Sequence, residues 1–579
     1  MKAATTTTHG RISLLKKLCL LMMALFVARL FYMQIIQHDR YVAAAEQEQV
    51  KSLVVKADRG EIYALDNGKP VKLVLNENVY TVFADPIEVK DPEAITKAVK
   101  EIAGGTAVKD IEKLVVATPS RYKILAKNVS RNQAKLLREK QLAGLGFQKT
   151  TRRIHPEGKL ASQVLGFVNA EGTGQYGIEE GLDAQLTGTD GMLKSVTDVR
   201  NVPLTVGNNN VRVPAKDGKN VVLSIDRNIQ AYTEKALYDE MKKIGATKGS
   251  VIVMDPQSGK VLSMANLPDY NPEKYTTVMN GAAFNNSVIT APYEPGSVIK
   301  TFTVATALDK GVITPTSKFN NTDSINVEDI VIKNANLGIT GNITMQAALS
   351  WSLNTGMVTI AQRLGDGKNI TYDARKTMYS YLHDKFKLGE KTGIELAGEQ
   401  AGSIISPDTV QGNAVRYSNM SFGQGMNPTM LQVASGFSSI VNGGRYFKPT
   451  VVAGEVTSDG SFKKSSSTLL EKNTISSASS DTARQMIREA RNQFYKEGDK
   501  KGYDIGGKTG TSETLVDDSY SQDQTVGTYL GYGGDDAPKY VIMVQASAPG
   551  KALGGRDVVP IFTSISNWMI DYMKLQPKG

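Results

Sequence analysis

Residues 502–512 of this chain read GYDIGGKTGTS, and Gly502, Gly507, Lys508 and Thr509 fit G-x-x-x-x-G-K-[ST], the pattern of a loop that cradles nucleotide phosphates. The apolar run 251–254, ending in Asp255, matches the strand that delivers a magnesium-binding carboxylate in such enzymes. Phosphate binding needs a buried strand before the glycines and a helix after them, so that free N–H groups and the positive helix end meet the anion. Here the charged segment 495–501 precedes Gly502, and Thr509 is followed by Gly510-Thr511-Ser512-Glu513 and then a polar loop through Gln524, with no helix start. The Asp255 strand also stands N-terminal to the glycines, the reverse of the usual order. These contexts exclude a nucleotide site and leave Lys508-Thr509-Gly510 to be explained by another chemistry.

That chemistry begins in Tyr293-Glu294-Pro295-Gly296-Ser297-Val298-Ile299-Lys300, which contains S-x-x-K. Pro295 and Gly296 break the chain ahead of an apolar helical run. Ser297 is therefore expected in the first turn, where unpaired N–H groups and the positive helix end face the site. Lys300 follows at i+3, on the same face and within reach of the serine hydroxyl. Serine is a weak nucleophile until a base takes its proton. No histidine is suitably placed, and a lysine kept neutral by burial and a nearby cation is a physical alternative. Ser352-Leu353-Asn354 falls in the break between helical stretches 345–351 and 355–364. It offers a hydroxyl to relay a proton and an amide to hold a substrate amide.

Each motif recurs elsewhere. S-x-x-K is also found at Ser120/Lys123 and Ser461/Lys464, S-x-N at Ser130/Asn132 and Ser324/Asn326, and K-T-G at Lys391-Thr392-Gly393. These copies read as surface turns or helix faces. Lys391 follows a helix end at Leu388-Gly389 and precedes a loop without a paired strand. Lys508 leads into two late strands, where an edge strand can face a cleft. Order and context select Ser297, Ser352 and Lys508.

The elements that must position these groups follow from periodicity. Residues 221–225 read as a strand. Asp226 caps a helix whose apolar positions Ile229, Tyr232, Ala236, Leu237, Met241 and Ile244 recur at helical spacing up to Gly245. Runs 251–254 and 260–264 flank Asp255-Pro256-Gln257-Ser258-Gly259 as a hairpin. Helices are expected around 298–309, 345–364 and 429–441, the last closing on Asn442-Gly443-Gly444. Strands at 526–533 and 540–546 and a helix at 561–573 complete an α+β domain built on an antiparallel sheet with a helical block. Upstream, 52–220 is rich in short β-type runs, among them 52–55, 79–83 and 164–168, with helical patches around 92–103 and 131–141. A short helix is expected over 41–51, and the serines at 465–467 and 476–480 read as loops.

The chain of 579 residues is too long for one core, and 41% hydrophobic and 22% charged residues are ordinary for globular domains. The net charge of +10 is scattered, which fits a solvated surface and not a nucleic-acid face. The single cysteine, Cys19, lies in an apolar run and supports neither a disulfide nor a zinc site. His9, His38, His155 and His383 form no ligand pair and read as satisfied or solvated, so no metal or cofactor is expected. Residues 18–36 are apolar except for Arg29 and Gln34, a length near the ~20 residues that span a bilayer. Lys2, Arg11, Lys16 and Lys17 precede them, so the tail is expected inside and the rest exported. Ala43-Ala44-Ala45 offers a signal-peptide cleavage site, but the apolar run is long for one and polar residues 37–41 intervene, which favours an uncleaved anchor.

S-x-x-K, S-x-N and K-T-G occur together in class A β-lactamases and penicillin-binding proteins. The chain resembles class B penicillin-binding proteins, the monofunctional peptidoglycan D,D-transpeptidases, over nearly its whole length. Arg59-Gly60-Glu61-Ile62-Tyr63 is similar to the family's R-G-x-I-x-D-R-N-G, with Ala64-Leu65-Asp66-Asn67-Gly68 departing from its tail. Arg153-Ile154-His155-Pro156, Gly166-Phe167-Val168 and Gly177-Ile178-Glu179 resemble the region before the catalytic domain. Ser421-Phe422-Gly423-Gln424-Gly425 and Asn442-Gly443-Gly444 resemble G-x-G-Q-G and N-G-G. The stretch 293–300 is closer to the division-type branch than to the elongation type.

The resemblance implies a cytoplasmic tail (1–17), a transmembrane anchor (18–36), a β-rich pedestal of the dimerisation type (37–220) and a penicillin-binding/β-lactamase-like transpeptidase domain (221–579). It implies that Ser297 attacks a D-Ala-D-Ala stem peptide and that an amine of a second stem peptide resolves the acyl-enzyme. Lys300 would be the base, Ser352 would help protonate the leaving amine, and Asn354 would hold the donor amide. Lys508 would supply positive potential, the Thr509 and Thr511 hydroxyls would bind the substrate carboxylate, and Gly510 would let the strand approach the peptide. The N–H groups of Ser297 and Thr511 would form the oxyanion hole. β-Lactams would acylate Ser297. Implied partners are a SEDS-type glycosyltransferase and divisome proteins at the bacterial cytoplasmic membrane, with no nucleic acid or nucleotide. The alternatives are a β-lactamase of the same fold, for which no E-x-x-L-N follows Ser352, and an inactive division-site scaffold.

Overall fold

The computed structural model describes residues 6–41, 50–196, 211–516 and 519–578. The chain divides into two units, one of residues 1–58 with 188–218 and one of 59–187 with 219–579. In the first, a helix Thr6–Phe31 continues as a π-helical turn Tyr32–Ile36. Its segment Ile12–Ile36 is long and apolar enough to cross a membrane, and its large apolar side chains, Leu21, Met23 and Phe26 among them, are exposed. Strands Val50–Val55, Gly191–Val196 and Val211–Val213 form an antiparallel sheet of their own. The helix expected over 41–51 falls mostly on residues 42–49, and the Ala43–Ala45 cleavage site lies there too, outside the described residues. Val50 and Lys51 belong to a strand.

The second unit begins with β1 (Ile62–Asp66), β2 (Lys69–Ala84), β3 (Lys123–Val129), β4 (Leu145–Ile154) and β5 (Asn220–Asp226). Then come α1 (Arg227–Ile244), β6 (Lys248–Met254), β7 (Val261–Leu267), α2 (Lys300–Asp309), β8 (Ser324–Val327), β9 (Ile330–Lys333), α3 (Met345–Ser350), α4 (Asn354–Arg363) and α5 (Met430–Val441). Last are β10 (Val452–Val456), α6 (Ser477–Tyr495), β11 (Asp504–Val516), β12 (Ser519–Gly534), β13 (Pro538–Ser547) and α7 (Gly555–Tyr572).

A five-stranded antiparallel sheet, in the order β7-β6-β13-β12-β11, is the frame of the site. Its period-2 alternation is strict. Val251, Val253, Ile542 and Val544 pack with Leu237 and Met241 of α1 and Phe562 and Ile565 of α7. The intervening Ile252, Met254, Val541 and Met543 pack with Phe302 of α2 and Phe437 of α5 in the helical block. Both faces are covered, so β6 and β13 read as nearly continuous apolar runs. A second, mixed sheet joins upstream and downstream strands. β5 pairs parallel with β1 and antiparallel with β10, while β2 extends to β3 and β4. A sheet therefore runs continuously across position 220/221.

The family-like motifs upstream of β5 converge on one buried ion cluster. Arg59 Nε donates to Glu179 Oε2 at 2.7 Å, Arg153 Nε donates to Glu179 Oε1 at 2.9 Å, and Asp183 lies 2.7 Å from Arg59. His155 departs from the expected satisfied or solvated state. It is buried, neither ring nitrogen has a hydrogen-bond partner among the described residues, and burial with the Arg153 charge pushes it down to about 4.

Four local expectations differ. Residues 164–168, read as a strand, form a buried helical turn Ser162–Leu165 that Gly166 ends at φ 78°, followed by only two strand residues, Phe167–Val168. Burial on all sides overrides the β-propensity of Val and Phe. The serines at 476–480 are not a loop: Ser476 caps α6 through Ser479 N, and Ala483, Met486, Ile487 and Ala490 carry its buried face. The polar segment expected as a loop up to Gln524 is strand where it is described: residues 514–516 continue β11 and pair with 519–521 of β12. The terminal helix starts at Gly555, ahead of Pro560, and the buried face carried by Val558, Ile561, Phe562 and Ile565 holds it through the proline.

Candidate active site

Ser297 lies in a 3₁₀ turn, Gly296–Ile299, that runs directly into α2. Two glycine contacts set this turn. Gly296 has φ 62°, and a Cβ there would stand 2.5 Å from the Thr511 carbonyl oxygen, so the turn lies against β11. Gly296 N donates to Gly423 O at 3.0 Å, and a Cβ on Gly423 would stand 2.0 Å from Gly296 O. Gly425 N donates to Glu294 Oε1 at 2.7 Å. The Ser421–Gly425 motif thus clamps the chain just before the serine.

Lys300, the first residue of α2, is fully buried. Its Nζ donates to Ser352 O at 2.6 Å and to Asn354 Oδ1 at 2.7 Å, and it lies 3.2 Å from Ser352 Oγ. Burial, and then the Lys508 charge, hold the Lys300 amine well below the usual lysine range. A neutral amine has two hydrogens and one lone pair. With the hydrogens taken by Ser352 O and Asn354 Oδ1, the lone pair remains for a hydroxyl proton. Lys508 is 4% exposed, and burial lowers it to about 7.

Ser352 sits between α3 and α4 in a left-handed conformation, φ 60°. That kink turns both its carbonyl and its hydroxyl toward Lys300. Asn354 opens α4 and donates from Nδ2 to Lys333 O, at the end of β9, at 2.9 Å. Its second amide hydrogen is left for a ligand. The next residue, Thr355, donates from N to Asn334 Oδ1 at 3.1 Å and from Oγ1 to Asn321 Oδ1 at 2.8 Å, all three side chains buried.

Lys508, Thr509, Gly510 and Thr511 lie on β11, the edge strand of the five-stranded sheet. Lys508 and Gly510 share one face. A Cβ on Gly510 would stand 2.8 Å from Pro295 O and 3.1 Å from Val298 Cγ1, so only glycine lets the strand close on the serine turn. Thr509 and Thr511 lie on the other face, against the start of α7. Thr511 Oγ1 accepts from Gly555 N at 3.1 Å, and Thr509 Oγ1 accepts from Lys508 Nζ at 3.3 Å. Both hydroxyls accept, so each keeps its own hydrogen for an anion. The α7 N-terminus adds positive potential beside them.

The copies set aside on sequence context lie elsewhere. Lys391-Thr392-Gly393 is a strandless loop wrapped on its own Glu399, with Thr392 N at 2.7 Å and Gly393 N at 3.0 Å from that carboxylate. Ser130 caps the helix Arg131–Glu139, Ser120 and Ser461 are in exposed turns, and Ser324 starts the β8–β9 hairpin. Sequence reasoning missed Lys333, Asn334, Asn321 and Gly555. Lys333 acts through its carbonyl, which no side-chain pattern reports. The G-x-G-Q-G resemblance did flag Gly423, without its role.

Comparison with known proteins agrees with this geometry. The family model described as penicillin binding protein transpeptidase domain matches residues 249–567, and the penicillin-binding protein dimerisation domain matches 54–223. Stage V sporulation protein D of Bacillus subtilis is 28% identical, across 100% of this chain and 88% of that protein. Peptidoglycan D,D-transpeptidase FtsI of Escherichia coli is 26% identical, across 98% of this chain and 92% of that protein. The crystal structure of penicillin binding protein 2X from Streptococcus thermophilus superposes with a TM-score of 0.73 at 21% identity, over 90% of this chain and 80% of that one, a likeness of fold. With both domain models in place and relatives aligned end to end, the chain belongs to the class B penicillin-binding proteins.

Proposed function

We propose that this protein is a serine-type peptidoglycan D,D-transpeptidase that cross-links stem peptides during septal cell wall synthesis. The observation that carries the reading is Lys300: a fully buried amine, one turn after Ser297, bonded to the Ser352 carbonyl and Asn354 and held toward its neutral form. Ser297 Oγ attacks the carbonyl of the penultimate D-Ala as its proton passes to Lys300 Nζ. The tetrahedral oxyanion takes hydrogen bonds from the N–H groups of Ser297 and Thr511, each such donor typically worth about 10²–10³ in rate. The C–N bond then breaks, and the proton moves through Ser352 Oγ to the leaving amine of the terminal D-Ala. Acceptor amine attack reverses the route: the amine's proton passes through Lys300 to Ser297 Oγ, which leaves as the hydroxyl as the peptide bond forms. Asn354 Nδ2 orients the donor amide, and Lys508, Thr509 and Thr511 hold the donor carboxylate against the α7 N-terminus.

In this reading residues 221–579 form the catalytic domain, 37–220 the pedestal and 18–36 a single-pass anchor, with the basic tail 1–17 in the cytoplasm. The membrane-proximal part contacts a SEDS-type glycosyltransferase that supplies glycan strands, together with divisome proteins. The septal role is supported by likeness to a protein named as the D,D-transpeptidase FtsI. Fluorescent penicillin decides the chemistry. Covalent label on the full-length protein, lost in Ser297→Ala, is expected. Label that survives Ser297→Ala refutes the nucleophile, absence of label points to an inactive scaffold, and rapid release of label identifies a β-lactamase.

A further inference from the structure

Away from the catalytic groups, a cavity of about 440 Å³ opens between segment 157–163, helix α1 and the end of β7. Six charged side chains line it: Glu157, Lys159, Arg227, Glu234, Lys235 and Asp269. Each cation already has a carboxylate. Arg227 pairs with Glu157 at 2.7 Å, Lys159 with Asp269 at 2.9 Å, and Lys235 with Asp239 one turn along α1. Glu234 is the carboxylate left over.

Glu234 meets only neutral donors. Its Oε1 accepts from Ala161 N at 2.7 Å and from Gln230 Nε2 at 2.8 Å. Oε2 has no hydrogen-bond donor among the described residues. Gln230 is fixed by Ser263 Oγ and Met264 N, both donating to its Oε1 at 2.9 Å, and so cannot turn to cover it. A half-buried carboxylate with no cation against it is costly to ionise. Burial, with the Asp269 charge added, raises Glu234 to about 7. One unfilled oxygen at the wall of a polar cavity calls for a point donor carrying positive charge. A guanidinium fork would need two free oxygens, whereas an ammonium needs one.

We propose that this cavity binds a primary ammonium group, as the lysine side chain of a protein partner or as a free amine, with Glu234 Oε2 as its acceptor. The bound cation supplies the charge Glu234 lacks and drives off its proton. The pairs Arg227–Glu157, Lys159–Asp269 and Lys235–Asp239 are each net neutral, so the attraction for the incoming cation rests on Glu234. Affinity therefore follows ionisation of Glu234, rising about tenfold between pH 6 and pH 8.

The test is calorimetric titration of the full-length protein in detergent with n-pentylamine, with the acetylated tripeptide amide Ala-Lys-Ala, and with n-pentanol as the neutral analogue. Both amines are expected to bind more tightly than pentanol, with proton release and the pH dependence stated. Glu234→Gln keeps the Oε1 bonds and is expected to weaken amine binding about tenfold or more, the scale of one charge-assisted hydrogen bond, and to flatten its pH dependence. Penicillin labelling by Glu234→Gln is expected to match the wild type. Tighter binding of the peptide assigns a partner lysine, and tighter binding of pentylamine assigns a free amine. Amines that bind no better than pentanol, or equally at pH 6 and pH 8, overturn the proposal without any variant. So does an unchanged affinity in Glu234→Gln, or loss of amine binding when benzylpenicillin blocks the catalytic cleft.

Discussion

Ser352 carries two features that two substitutions separate. Its backbone is left-handed at φ 60°, and its hydroxyl lies 3.2 Å from Lys300 Nζ. A left-handed non-glycine residue costs about 1–2 kcal/mol, and glycine removes that cost while adding about 0.5–1 kcal/mol of unfolded-chain entropy. Ser352→Gly is therefore expected to be more stable than Ser352→Ala by about 0.5–1 kcal/mol. Neither change touches the bonds from Lys300 to the 352 carbonyl and to Asn354, at 2.6 and 2.7 Å. Both remove the hydroxyl that relays the proton to the leaving amine, and proton transfer by a positioned group typically contributes ~10²–10⁴ in rate. Acylation by fluorescent penicillin, followed by stopped flow, is expected to fall equally in the two variants. Thermal melts are expected to rank glycine above alanine. If Ser352→Gly acylates as fast as the wild type, the hydroxyl carries no proton. If alanine melts as high as glycine, the left-handed backbone stores no strain.

Lys508 tests the electrostatics. Removing its charge in Lys508→Ala relieves Lys300 of a like charge, so the rising limb of the acylation–pH profile is expected to move to higher pH. A limb that stays in place refutes the coupling. Lys508 titrates near 7 when folded and from 10.5 when unfolded, so the unfolded chain binds the extra proton in between. Stability is expected to rise with pH above about 7 by a component that Lys508→Met lacks, read from melts across that range. Gly423→Ala places a Cβ 2.0 Å from Gly296 O at a φ of 92°. The turn must shift, and a displacement of about 1 Å at a nucleophile costs ~10² in rate. Acylation at the wild-type rate in this variant would show that the clamp does not position Ser297.

Much of the frame was legible locally. Asp226 and Gly245 bound α1 in the sequence as in the fold, because capping and left-handed termination are short-range effects. The β6–β7 hairpin was legible for the same reason, since its turn chemistry lies between its strands. Ser476 was misread as loop although it caps α6, because a serine cluster favours caps and turns alike and only the buried face beyond it decides.

The sequence by itself determined which residue types stand at S-x-x-K, S-x-N and K-T-G, the apolar N-terminal run, and the class of sheet and helices between them. Only the tertiary structure decided that Lys300 is sealed from water against Ser352 and Asn354, that Lys508 stands near enough to lower it further, and that Gly296, Gly423 and Gly510 bring three distant backbones into contact. It also decided that Lys391-Thr392-Gly393 closes on Glu399 while Lys508-Thr509-Gly510 lies on the edge strand of the sheet, packed against the serine turn. The physical reason is that desolvation and charge–charge coupling depend on distance in space. Local propensity acts through neighbours along the chain and carries no record of which remote segment will exclude the water.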